Sequence, residues 1–267
     1  MTNWTSAVCE ANGIDIHYLR TGGSKPSLVL LHGLTGSGAC WSPLARALEA
    51  EFDVVMPDAR GHGHSSTPLN GYRYEDYASD VVGLIQKLEL ADPVLLGHSM
   101  GGMTAAVVAS QNAVDLHGLI LADPTFLSPE RQREVYESDA IEQQRRLLSS
   151  DREEVLAQAR IRHAHRRPEF IELVTEARME TRLPAFDVLI PPNPEYHQLV
   201  RAIDVPILLV IADKGVVTLE TAWELQKLNP RLDVEQIQGA GHGLQYDQPE
   251  RFEVVVSSFL RSMAKVL

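Results

Sequence analysis

The sequence predicts an α/β architecture: a mostly parallel central sheet with helices on both faces, plus a helical cap insertion. Three observations predict it. Short continuous apolar runs recur between turn signals, as strands covered on both faces require. Segments with helical spacing alternate with those runs, the pattern of strand–helix units around a parallel sheet. Between residues 125 and 203 the alternation stops and the chain becomes charged and helical, dense in Arg, Glu and Gln.

Taken in order, Met1 to Gly13 is polar and lacks the basic start and apolar stretch of a signal peptide. Ile14 to Tyr18 alternates at period two and reads as a half-exposed strand. Ser27 to Leu31, Phe52 to Met56, Pro93 to Leu96 and Leu119 to Ala122 read as buried strands. The helices between them are expected over Trp41 to Leu48, Tyr74 to Leu88 and Met100 to Ser110. The last is apolar all round and so central. Ser128-Pro129-Glu130 opens a helix with Pro at its first position; Ser150-Asp151-Arg152-Glu153 and Pro168-Glu169 open two more. Pro184, Pro191, Pro192 and Pro194 break that pattern. Strands at Pro206 to Ile211 and Asp233 to Ile237 and helices at Leu219 to Leu228 and Pro249 to Lys265 complete the chain. The expected division is therefore a core of residues 1–124 and 204–267 with a cap at 125–203. Because the cap leaves from the end of a central strand, it is expected to lie over the site.

A chain of 267 residues can bury a sizeable core, and its charged fraction is too low for disorder. The net charge of -12 disfavours non-specific binding to nucleic acid or anionic membranes. No apolar run approaches a membrane span. Cys9 and Cys40 stand in neither a CxxC nor a zinc-ligand spacing. The expectation is a cytoplasmic protein acting on a small molecule, with no metal or organic cofactor; oligomeric state is open. His163-Ala164-His165 does not change the metal expectation, since residues two apart on a helix face different ways.

Gly97-His98-Ser99-Met100-Gly101 matches G-x-S-x-G between a strand and a helix, the context that pattern needs to present a nucleophilic hydroxyl. Ser99 is therefore the candidate nucleophile. The His32-Gly33 turn after the earlier strand offers a free backbone N–H at Leu34. With the amide of Met100 it would form an oxyanion hole. Among ten histidines, His242 lies in the Gly-rich loop Gly239 to Gly243, after the last strand and before the last helix, and is the candidate base.

With Asp58-Ala59-Arg60-Gly61-His62-Gly63-His64-Ser65 added, these motifs make nearly the whole chain resemble the α/β-hydrolase superfamily, nearest its esterase, lactonase and carbon–carbon hydrolase branches. The resemblance implies a Ser–His–acid triad, and a structural role for the Asp58 to Ser65 turn. Ser99 separates the chain from epoxide hydrolases and haloalkane dehalogenases, which resemble it but carry Asp there. The usual acid follows the strand ending at Ile211 as Gly-x-x-Asp. Here the stretch reads Ala212-Asp213-Lys214-Gly215, so Gly215 occupies the acid's place. Asp123, at the end of the strand after the nucleophile helix, matches the placement in zearalenone lactone hydrolases. Asp123 is the first candidate and Asp213 the alternative.

The leading expectation is hydrolysis of an ester or lactone of a small, mostly apolar substrate. Alternatives are an amide or carbon–carbon hydrolase of a carboxylate-bearing substrate, which needs an inward basic residue, and a slow-turnover receptor on the same fold. Trp41, Met103, Phe126 and Arg146 are the candidate substrate-binding residues, with Leu34 at the acyl site and Arg145 or Arg166 as other cap cations.

Overall fold

The computed structural model describes residues 4–264. Strand β1 (Thr5–Ala11) pairs antiparallel with β2 (Ile14–Arg20), and β2 pairs antiparallel with β4 (Asp53–Pro57). The remaining strands are parallel: β3 (Ser27–Leu31), β4 (Asp53–Pro57), β5 (Val94–His98), β6 (Gly118–Ala122), β7 (Ile207–Lys214) and β8 (Leu232–Gly241). The eight strands lie in the order β1-β2-β4-β3-β5-β6-β7-β8. Strand β1 lies within the polar N-terminal run, to which the sequence reading assigns no strand. An edge strand with a largely exposed face carries no continuous apolar stretch, which is why Thr5 to Ala11 escapes a reading by hydrophobicity.

The helices before the insertion are α1 (Ser42–Leu48), α2 (Tyr74–Lys87) and α3 (Met100–Gln111). The insertion carries α4 (Pro129–Tyr136), α5 (Ala140–Leu148), α6 (Arg152–Arg162), α7 (Pro168–Glu180), a 3-10 segment at Leu183–Leu189 and α8 (Tyr196–Ala202). After it come α9 (Leu219–Leu228), the short α10 (Leu244–Asp247) and α11 (Pro249–Ala264).

The continuous apolar runs follow from burial on both faces. Val29, Leu31, Leu95, Leu119 and Leu209 point to a core shared with α2, α3, α8 and α9. Their neighbours Leu28, Leu30, Leu96, Ile120 and Leu208 point to a second core covered by α1 and α11. Removing such a side chain would cost about 2–5 kcal/mol, since little can collapse into the space. Helix α3 has no polar face because it is packed between the sheet, α2 and α8.

The insertion holds together differently. Gln144 of α5, fully buried, donates to the carbonyls of Arg178 and Thr181 at 2.8 and 3.0 Å and ties α5 to the end of α7. Helices α6 and α7 are cross-linked at the surface by Arg152–Glu176 and Arg160–Glu172. Toward the core, Arg166 meets Asp247 at 2.7 Å, and Arg167 pairs with Glu250. Among the described residues no helix is long and apolar enough to cross a membrane.

Candidate active site

The parallel strands β3, β5, β6, β7 and β8 deliver their carboxyl ends to one edge, and the candidate residues collect there. Ser99 sits between β5 and α3 with φ 55° and ψ -117°, a strained conformation for a residue with a Cβ. The turn is feasible because Gly97 has no side chain: a Cβ there would run into the Gly101 carbonyl. Backbone bonds from Ser99 to the Ala122 carbonyl (3.1 Å) and from Met103 to the Ser99 carbonyl (3.1 Å) fix the turn between β6 and α3.

His242 follows β8. The Ser99 hydroxyl lies 2.8 Å from its Nε2, and its Nδ1 lies 2.6 Å from Asp123 Oδ2. Nδ1–H donates to the carboxylate, which leaves Nε2 free to accept from Ser99. Asp123, at the end of β6, has no solvent exposure and a φ of 41°. Its carboxylate also accepts from the backbone N–H of Val216 (2.8 Å) and Val217 (2.9 Å). Those bonds come from the loop after β7, where the Gly-x-x-Asp pattern would have put an acid. A Cβ on Gly215 would come within 2.6 Å of Asp123 Oδ1. The glycine thus leaves the volume that the Asp123 carboxylate fills. Asp213 is elsewhere: exposed, its carboxylate accepts from the Ala240 N–H at 2.9 Å, and that bond holds it below the usual carboxylate range.

Two further histidines brace the site. His98 Nε2 donates to the His242 carbonyl at 2.8 Å, with the rings 4.8 Å apart. Burial, then the neighbouring His242, push His98 down to about 3, so it stays neutral and a donor. Residue patterning gave no role to His98; its place directly before the nucleophile was the only available signal. His32 accepts from the Ala59 N–H at Nε2 (2.9 Å), which puts its proton on Nδ1, facing the Gly33 carbonyl at 2.9 Å. It shapes the turn that carries Leu34. Asp58 in turn accepts from the Gly38 and His64 N–H groups and meets His17 Nδ1 at 2.7 Å, a buried structural hub.

A pocket of about 240 Å³ opens on this arrangement. Leu34, Met100, Ser99 and His242 line it from the core, and Leu127, Arg131, Gln132, Val135, Leu189 and Asn193 from the insertion. Among the described residues no cluster of three His, Cys, Asp or Glu side chains could hold a metal ion.

The family model described as "alpha/beta hydrolase fold" matches residues 26–249. The chain belongs to the α/β-hydrolase family. Within it, N-formylmaleamate deformylase of Pseudomonas putida is 31% identical over 94% of this chain and 94% of that protein. The crystal structure of N-formylmaleamic acid deformylase from Pseudomonas putida S16 superposes with a TM-score of 0.82 at 27% identity, covering 94% of this chain and 100% of the other. The enol-lactonase of Burkholderia xenovorans LB400 shares the fold, with a TM-score of 0.80 at 24% identity over 96% of this chain and 100% of that one.

For this α/β-hydrolase, the expected pocket wall needs correction. Trp41 is 1% exposed and packs on Phe252 beneath the sheet, with centroids 6.2 Å apart. Met103 is fully buried, because a helix buried all round turns the residue one turn past Ser99 into the core. Phe126 stacks on Tyr196 of α8 at 4.9 Å, while its neighbours Thr125 and Leu127 face the pocket. Arg146 is exposed and shares Glu142 with Arg145, away from Ser99. Arg166 is held by Asp247. The cation that does line the pocket is Arg131, in the first turn of α4. The Ser128-Pro129 helix start held the signal. It follows closely on β6, so the first turn of that helix must overhang the strand ends, and Arg131 and Val135 are one turn apart on its inner face.

Proposed function

We propose that the chain is a serine hydrolase that cleaves the acyl bond of a small substrate, an ester or lactone in the first reading, under a cap formed by residues 125–203. The observation that carries it is the relay from Ser99 through His242 to Asp123, at 2.8 and 2.6 Å, opening on a largely apolar pocket. His242 takes the Ser99 proton as the oxygen attacks the carbonyl, and Asp123 holds the ring in the correct tautomer and stabilises its cation. The amides of Leu34 and Met100 receive the oxyanion, with the N-terminus of α3 favouring the negative charge. His242 then protonates the leaving group, activates water, and the acyl-enzyme is hydrolysed.

A second reading, an amide or carbon–carbon hydrolase of a carboxylate-bearing substrate, is favoured by Arg131. Its Nη1 is 2.6 Å from Glu134, which leaves the other guanidinium donors for a substrate carboxylate. The relative named for deformylating N-formylmaleamate supports the same reading.

The test is a paired assay: p-nitrophenyl esters of short neutral acids against an N-formyl or N-acetyl amide bearing a carboxylate. Turnover of either should fall about 10⁶-fold in Ser99→Ala. Ester turnover alone supports the first reading, and preference for the amide acid supports the second. Tight binding without turnover by the folded wild type would overturn both and assign the fold to a receptor.

A further inference from the structure

Helices α5, α6 and α7 line a second, solvent-open cavity, about 710 Å³, that shares no lining residue with the Ser99 pocket. Arg146, Arg162, Arg166, Arg178 and His163 line it, and no carboxylate does. In a chain of net charge -12 this is a concentrated positive site. Two of the four guanidiniums have outside partners: Arg146 on Glu142 and Arg166 on Asp247. Among the described residues Arg162 and Arg178 have no carboxylate partner, and the side chain of Arg178 reaches only Gln144 Oε1, at 3.4 Å. Burial, then Arg162, hold the Arg178 guanidinium below its ordinary value. Burial, then Arg166 and Arg162, do the same to His163. Like charges gathered without a counter-charge repel, and a partly buried guanidinium without an anion has lost water for nothing in return. The rest of the wall combines neutral donors, Gln158 and Thr175, with apolar surface from Leu147, Ile171 and Val174.

We propose that this cavity is a binding site for a small organic polyanion, one with two or more carboxylate or phosphate groups, separate from the catalytic pocket. Arginine forks bind either group by paired charge-assisted hydrogen bonds. The apolar wall accommodates a short carbon skeleton between them.

Isothermal titration of the full chain with citrate, and separately with inorganic pyrophosphate, at an ionic strength fixed by sodium chloride, tests this. The expected result is saturable one-to-one binding of at least one probe. Preference for citrate assigns the carboxylate class, and preference for pyrophosphate the phosphate class. Arg162→Gln and Arg146→Gln, both at exposed positions, should each weaken binding about tenfold without changing the thermal midpoint. Arg131→Gln, in the other pocket, should leave it unchanged. Absence of saturable binding above the chloride control would overturn the proposal. So would binding that Arg131→Gln abolishes and Arg162→Gln leaves intact, because the anion would then sit beside Ser99.

Discussion

The sheet edge and the helical insertion meet around one pocket but are built on different physics. At the sheet edge every candidate catalytic group is held by buried partners: Asp123 by two backbone amides, His242 by Asp123 and by the His98 bond to its carbonyl, Ser99 by a turn that only glycine at 97 permits. The insertion also packs apolar side chains inward, such as Phe170 and Val200, and has buried ties in Gln144 and Arg166–Asp247, but many of its ion pairs, such as Arg160–Glu172, have ends about half in water. Such exposed pairs contribute little stability. The comparison teaches where change is tolerated. The edge fixes the chemistry because each replacement strands a buried partner. The insertion can exchange its charged residues at small cost, and so it can set what enters.

The sharpest way to break that contrast is at the acid. Asp123→Asn should lower kcat about 10⁴-fold, because the amide would favour the wrong tautomer of His242. Asp213→Asn should leave kcat within about twofold, since Asp213 bonds only backbone away from the imidazole. Comparable losses in the two variants would move the acid to the loop after β7.

The insertion's side of the contrast is Arg131. For a carboxylate-bearing substrate, Arg131→Gln should raise KM about tenfold with little change in kcat, and for a neutral p-nitrophenyl ester it should change neither. Equal effects on both substrates would make Arg131 a packing residue and weaken the amide-acid reading.

How far the sequence carried depended on the same division. Leu28 to Leu31 and Leu119 to Ala122 were legible as strands because burial on both faces imposes an unbroken apolar run. Ser99 and His242 were legible because the elbow and the glycine loop impose local patterns. The acid stayed open between Asp123 and Asp213 because either strand end can reach the imidazole. In the structure Asp123 meets His242 in the space left by Gly215, a contact between residues far apart in sequence, while Asp213 bonds Ala240 N–H. The pocket wall was least legible. Trp41, Met103 and Phe126 lie near motifs along the chain, but each is turned into a core. Arg131 looks in sequence like any other charged residue of the insertion.

Acid tests the rigidity of the edge. His62, fully buried below the site, is pushed down to about 3 by burial and then by His32. The folded state keeps it neutral while the unfolded state takes a proton near pH 6.5. Its contribution to stability is therefore intact above pH 6.5 and is lost as pH falls from there toward 3. The loss runs at about 1.4 kcal/mol per pH unit. His62→Asn keeps a donor near the Arg60 carbonyl, which His62 Nδ1 meets at 2.9 Å, and removes the titration. Urea unfolding between pH 6.5 and 4 should show a slope shallower by about one proton in the variant. Identical slopes would mean that the buried ring accepts the proton without unfolding.

The smallest effect belongs to the surface of the insertion, and its smallness is the point. Arg160 and Glu172 join α6 to α7 at 2.8 Å, with side chains 54% and 50% exposed. Replacing Arg160 by Ala removes a charge pair that water and salt already screen. The expected cost is about 0.5 kcal/mol or less in urea unfolding, with kcat for a small ester unchanged. A loss of several kcal/mol would show that the pair is coupled to Gln144 and the packing of α5 on α7. The insertion would then be as tightly specified as the sheet edge, and selectivity would have to be sought in Arg131 and its immediate neighbours rather than in the freedom of the whole segment.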